Sequence, residues 1–140
     1  MQKPHPYILI ADDDPDDRQE FSNEFVRQNP GIEVMCVDSG SELFRYLEEC
    51  PLDQLPVVIV LDYKMPELSG PQILMRLAAN SCYKQIIKIV WSSSGRTKDV
   101  EDCINLGALD YIVKPSSIDD LQTAVQKLTS ILEVVDHLMH

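Results

Sequence analysis

Apolar, β-branched runs of about five residues recur along the chain at Tyr7–Ala11, Ile32–Val37, Val57–Leu61, Ile86–Trp91 and Ala108–Val113. Each is short enough to be a strand buried on both faces. Between them, apolar positions take helical spacing over Pro15–Gln28, Ser41–Glu49, Pro71–Ala79, Lys98–Leu106 and Ile118 to about Leu138. Start signals mark several of these helices: Asp14 before Pro15, Ser39 with Glu42, and Ser117 with Asp120. Strands alternating with helices predict right-handed βαβ crossovers and a doubly wound parallel α/β sheet covered on both faces. In such a sheet ligands bind beyond the carboxyl ends of the strands, where the strand order reverses.

Composition narrows the picture. With 140 residues, 44% hydrophobic and 25% charged, the chain fits one globular domain with one core. No internal repeat, low-complexity tract or linker divides it, and no apolar run nears the ~20 residues that span a bilayer. The start, Met-Gln-Lys-Pro-His-Pro, has no signal-peptide pattern, so a cytoplasmic protein is expected. A formal charge of −11 argues against direct nucleic-acid binding, which needs a basic face to displace counterions. Cys36, Cys50, Cys82 and Cys103 form no C-x-x-C pair and lie in or beside apolar stretches, as reduced, buried thiols would. His5, His137 and His140 sit at the chain ends, so no histidine triad or zinc cluster is visible.

Candidate chemistry collects at the predicted strand ends. The first strand runs into Asp12-Asp13-Asp14, followed by Pro15, Asp16 and Asp17. Asp14 suits a helix cap, and Asp16 and Asp17 suit the positive end of the helix dipole. Asp12 and Asp13 precede the cap, where adjacent acids repel unless a cation joins them, and Mg²⁺ is the hard, oxygen-seeking ion that fits. The third strand delivers Asp62, and the loop from Tyr63 to Gly70 closes over the site with the Lys64 carbonyl as a further oxygen ligand. Ser92 follows the fourth strand and Lys114-Pro115 the fifth. Alone, each has a plain structural explanation as a turn, cap or solvated residue. Together, a carboxylate nucleophile, a divalent cation, a hydroxyl and an ammonium are what phosphoryl transfer to an acid requires.

These residues resemble the receiver domain of bacterial two-component response regulators, from Tyr7 to about Leu132. The similarity rests on Ile8-Leu-Ile-Ala-Asp12-Asp13, Val58-Ile-Val-Leu-Asp62 with Met65-Pro66 and Gly70, Ile89-Val-Trp-Ser92-Ser93, and Gly107-Ala-Leu-Asp-Tyr111-Ile-Val-Lys114-Pro115. The acidic opening is similar to that of stand-alone receivers. The resemblance implies a flavodoxin-like (βα)5 fold with strand order 2-1-3-4-5. It implies Asp62 as phosphoacceptor, Asp13 as direct Mg²⁺ ligand, Asp12 as ligand mostly through water, and the Lys64 carbonyl as another. Lys114 would pair with the phosphoryl oxygens, Ser92 would swing toward them, Tyr111 would change rotamer in step, and the bond before Pro115 would be cis. Lys64 and Ser94 stand where the family tunes how water reaches the acyl phosphate, so an altered lifetime is expected.

The implied reaction is transfer from a phosphohistidine on a sensor histidine kinase or phosphotransfer protein to Asp62, read out through the fourth helix, fifth strand and fifth helix. The chain would catalyse only its own modification. A phosphatase using an aspartyl-phosphate would need an acid two places after the nucleophile, where Lys64 stands. A flavin-binding protein would need a hydroxyl- and Gly-rich loop after the first strand, where aspartates stand. The remaining alternative is a pseudo-receiver, never phosphorylated, acting as a binding or dimerisation module. The expected organisation is a single receiver over 1–140, core about 7–132, with no output domain, so the signal would pass to a downstream protein. The last helix carries Val134, Val135, Leu138 and Met139, an apolar stripe suited to the chain's own core or to a homodimer seam.

Overall fold

The computed structural model describes residues 6–139, with side chains through residue 135. Strands β1 (Tyr7–Ala11), β2 (Glu33–Val37), β3 (Val58–Asp62), β4 (Ile87–Ser92) and β5 (Asp110–Val113) alternate with helices α1 (Pro15–Gln28), α2 (Gly40–Glu49), α3 (Gly70–Ala78), α4 (Thr97–Asn105) and α5 (Ile118–Met139). The strands pair in parallel in the order 2-1-3-4-5. This is the flavodoxin-like arrangement, with its switch point between β1 and β3.

Strand alternation divides the core in two. Ile8, Ile10, Val58, Val60, Ile89 and Trp91 pack toward α1 and α5, against Phe21, Phe25, Val125 and Leu128. Leu9, Ala11, Ile59, Leu61 and Val90 pack on the other face, against Leu43, Leu47, Ile73, Leu77 and Cys103. Both faces being covered is why β3 is buried along its whole length and reads as an unbroken apolar run. Burial of each large side chain contributes about 1.5–3 kcal/mol.

The predicted caps form. Asp14 Oδ1 accepts the Asp16 and Asp17 N–H groups at 2.9 and 3.2 Å. Ser39 Oγ accepts Glu42 N–H at 3.1 Å, and Ser117 Oγ accepts Asp120 N–H at 3.1 Å. A capping box of Ser69 with Gln72, not foreseen, starts α3. Boundaries shift at functional points: β3 and β4 run one residue further than expected, so Asp62 and Ser92 are their last members. β5 starts at Asp110 rather than Ala108. The residues before it close α4 instead: Gly107 takes φ +111° and Ala108 N–H reaches back to the Cys103 carbonyl at 3.0 Å.

Two expectations are corrected. The cysteines are free, but only Cys103 is buried; Cys36 and Cys82 are exposed and Cys50 half-buried. Cys36 lies on edge strand β2, which lacks a neighbour on one side, and Cys82 in a short turn. In the apolar stripe of α5, Val134 does not join the core, being 59% exposed where Leu132 is buried, while Val135 is half-buried. The side chains of His137, Leu138 and Met139, and residues His5 and His140, lie outside the described residues. No helix among the described residues is long and apolar enough to cross a membrane.

Candidate functional site

The carboxyl rim of the sheet gathers polar groups that the strands themselves cannot satisfy. Asp12, just beyond β1, is fully buried, and Asp62 and Ser92, at the ends of β3 and β4, are nearly so. From β5 Lys114 reaches across, its Nζ 3.0 Å from Asp12 Oδ2, 2.9 Å from Asp17 Oδ2 and 3.0 Å from Asp62 Oδ2. Asp13 is exposed and sits at the mouth. The expected pieces therefore converge, and Asp17 joins them. In addition to its place in the first turn of α1, Asp17 takes one of the three ammonium contacts.

The backbone fixes this well. Asp12 N–H donates to the Val37 carbonyl at 3.1 Å, and Arg18 donates to the Asp12 carbonyl at 2.7 Å. Asp12 Oδ1 accepts Asp14 N–H at 2.9 Å, and Asp62 Oδ1 accepts Lys64 N–H at 3.2 Å. The loop after β3 folds tightly back, with Gly70 N–H on the Tyr63 carbonyl at 2.8 Å. A Cβ at Gly70 would stand 3.1 Å from Tyr63 Cα, so glycine permits that approach.

Electrostatics set Asp62 apart. Burial, reinforced by the Asp12 charge, outweighs the Lys114 ammonium and raises its carboxyl from 3.8 to about 7. Burial works to lower the Lys114 pKa, yet Asp17, Asp12 and Asp62 more than reverse it and hold the ammonium charged. Three carboxylates, Asp12, Asp17 and Asp62, thus share one ammonium, and Asp13 adds a fourth acid at the mouth. Ligand oxygens of Asp12, Asp13 and Asp62 lie within 4.8 Å of one another. An all-oxygen, acid-rich donor set left short of positive charge suits a small hard dication such as Mg²⁺.

Beyond β4 a second polar cluster appears. Ser92 Oγ accepts Ser94 N–H at 3.1 Å. The Ser94 hydroxyl donates to Asp99 Oδ2 at 3.1 Å. Asp99, in the first turn of α4, also accepts Arg96 at 3.0 and 3.2 Å and the Tyr63 hydroxyl at 3.2 Å. Arg96 first, then Ser94 and Tyr63, hold the Asp99 carboxyl below the usual range against the effect of burial. Tyr111 is turned inward and buried, its hydroxyl donating to the Ser94 carbonyl at 2.5 Å.

The bond before Pro115 is a correction: no cis peptide occurs among the described residues, so Lys114–Pro115 is trans, the ordinarily preferred form. The ammonium faces inward nonetheless, drawn by its three acceptors. The Lys64 side chain is exposed. Sequence reasoning missed Asp99 and the indole of Trp91, which donates to Asp12 Oδ2 at 2.9 Å. Strand alternation carried a usable signal for Trp91, because a buried indole N–H must find an acceptor.

Residues 8–126 match the family model for the response regulator receiver domain. The two-component response regulator ORR3 of Oryza sativa subsp. indica is 32% identical over 121 residues, covering 86% of this chain and 88% of that protein. Among solved structures, the phosphorylated cyanobacterial phytochrome response regulator RcpA superposes with a TM-score of 0.79 at 24% identity, covering 89% of this chain and 91% of that one. The receiver domain of the Francisella response regulator 1452 reaches 0.71 at 29% identity, covering 91% and 98%. A family match over most of the length, the 2-1-3-4-5 sheet and the acidic rim agree: the chain belongs to the response regulator receiver domain family of two-component phosphorylation signalling.

Proposed function

We propose that Asp62 accepts a phosphoryl group from the phosphohistidine of a sensor histidine kinase or phosphotransfer protein, and that the modified chain signals through protein contacts. The supporting observation is the convergence of Asp62, Asp12 and Asp13 with the Lys114 ammonium at one rim of the sheet. A Mg²⁺ held by Asp12, Asp13, Asp62 and the Lys64 carbonyl would neutralise charge on the phosphoryl oxygens.

The chain's own residues carry the rest. An oxygen of Asp62 attacks phosphorus, the phosphorus–nitrogen bond of the donor breaks, and imidazole leaves. Lys114, already 3.0 Å from Asp62, pairs with the transferred oxygens, and its position needs little rearrangement. The modified Asp62 carries an added charge of about −1.5 to −2. That charge draws the Ser92 hydroxyl off the Ser94 amide, and Tyr111 responds because its hydroxyl holds the next carbonyl in the same loop.

The response would emerge on the α4–β5–α5 face, where Ile104, Leu109, Val113 and Ile118 are exposed. We infer a cytoplasmic protein in which these residues fold as one receiver and pass the signal to a downstream protein partner. Exposed Val134 on α5 offers an edge for a homodimer. Incubation with Mg²⁺ and a small phosphodonor tests the reading by mass. A gain of one phosphoryl group is expected, absent without Mg²⁺ and absent in Asp62→Ala; a gain that survives Asp62→Ala would contradict it.

A further inference from the structure

Trp91 ends the apolar run of β4, and the chain has a single tryptophan. Alternation turns it to the α1/α5 side, opposite Val90. There the ring, 2% exposed, meets Phe21 edge-on at 5.1 Å, and its Nε1–H donates to Asp12 Oδ2 at 2.9 Å. The same oxygen has one other side-chain neighbour of opposite charge, the Lys114 ammonium at 3.0 Å, which passes 5.2 Å from the Trp91 ring centroid.

Those two donors differ in kind. The ammonium has three protons and already divides them among Asp12, Asp17 and Asp62. Once Asp62 carries a phosphoryl group, the stronger charge-assisted bond lies there. The indole serves Asp12 and no other acceptor among the described residues. Being neutral, it also orients the carboxylate without cancelling the charge that a cation needs.

We propose that Trp91 is a positioning residue for the acidic well, holding Asp12 in its cation-facing orientation through the indole N–H, independently of Lys114. This rests on the reading of Asp12, Asp13 and Asp62 as a Mg²⁺ site. Groups that hydrogen-bond a metal's carboxylate ligands set ligand geometry, and their loss commonly weakens binding by about 10–100-fold. A purely structural indole would instead matter through its packing against Phe21.

The single tryptophan makes the test clean. Biosynthetic replacement by benzothienylalanine puts sulfur in place of the N–H at position 91 alone and keeps the ring's shape. Calorimetric titration of the unphosphorylated chain with Mg²⁺ should show affinity about tenfold weaker or more, and Trp91→Phe should behave alike. Phe21→Leu, which alters packing and keeps the donor, should stay within about twofold. Equal affinity in the benzothienyl chain, or an equal loss in Phe21→Leu, would overturn the positioning role while leaving the metal site intact. No Mg²⁺ uptake by the wild-type chain would overturn the site and this inference together.

Discussion

Two buried aspartates sit at the same end of the sheet and have been given opposite environments. Asp62 is 6% exposed and Asp99 4%. Asp99 is met by a guanidinium and two hydroxyls, which hold its proton affinity below the usual range. Asp62 has one ammonium, shared with Asp12 and Asp17, and a second carboxylate beside it, so its proton affinity rises to about 7. Burial alone therefore does not make an acid reactive. What separates them is whether donors saturate the charge: Asp99 is satisfied and anchors α4, whereas Asp62 is left wanting positive charge, the condition for recruiting a cation and an electrophile.

Substitution should separate the two acids sharply. Asp62→Ala is expected to lose phosphoryl uptake entirely, while Asp99→Asn keeps it within about threefold, both measured by mass after exposure to a small phosphodonor. Equal losses would dissolve the distinction. Next in size, Lys114→Met should slow uptake by roughly 10²-fold, the usual cost of losing one donor aimed at developing charge; stopped-flow or quench kinetics would measure it.

The Asp99 cluster should show itself in stability instead. Asp99→Asn is expected to lower the melting temperature by several degrees at neutral pH, because Arg96, Ser94 and Tyr63 lose their ionised acceptor. The sign with pH follows from the depressed carboxyl. Its contribution is complete above the ordinary value of 3.8 and disappears as pH falls through the lower folded value. The gap between wild type and Asp99→Asn should therefore stay constant down to about pH 4 and close below it, as thermal melts across pH would reveal. The smallest effect is expected from exchanging Lys64 and Ser94 for other polar residues, a change of a few-fold in dephosphorylation rate. Ser94 would act there through Asp99 and the Ser92 loop, since its hydroxyl faces away from the well; an unchanged rate would remove both residues from the account.

The sheet and its helices were legible because the central strand, Val58–Leu61, is buried on both faces and leaves an unbroken apolar run, whereas the expectation of two buried faces fails for edge strand β2, which exposes Glu33, Met35 and Cys36. Asp12, Asp62, Ser92 and Lys114 were legible for a related reason, being the first polar residues after such runs. Asp99 was not, because an acid in the first turn of a helix already has an ordinary explanation and its partner Tyr63 lies 36 residues away. Trp91 was hidden in the same manner, as an aromatic ending an apolar strand. The fate of Cys36 depended on β2 lying at the sheet edge, which apolar spacing alone does not encode.

The most direct measurement is the chemical location of the transferred group. Acyl phosphates are reduced by borohydride to an alcohol, so an aspartyl-phosphate becomes homoserine and can be sequenced by mass. After treatment with Mg²⁺ and a phosphodonor, homoserine should replace aspartate at position 62 alone. Its appearance at Asp12, Asp13 or Asp17, or nowhere in a chain shown to be folded, would contradict the claim that this rim makes one carboxylate reactive toward phosphate.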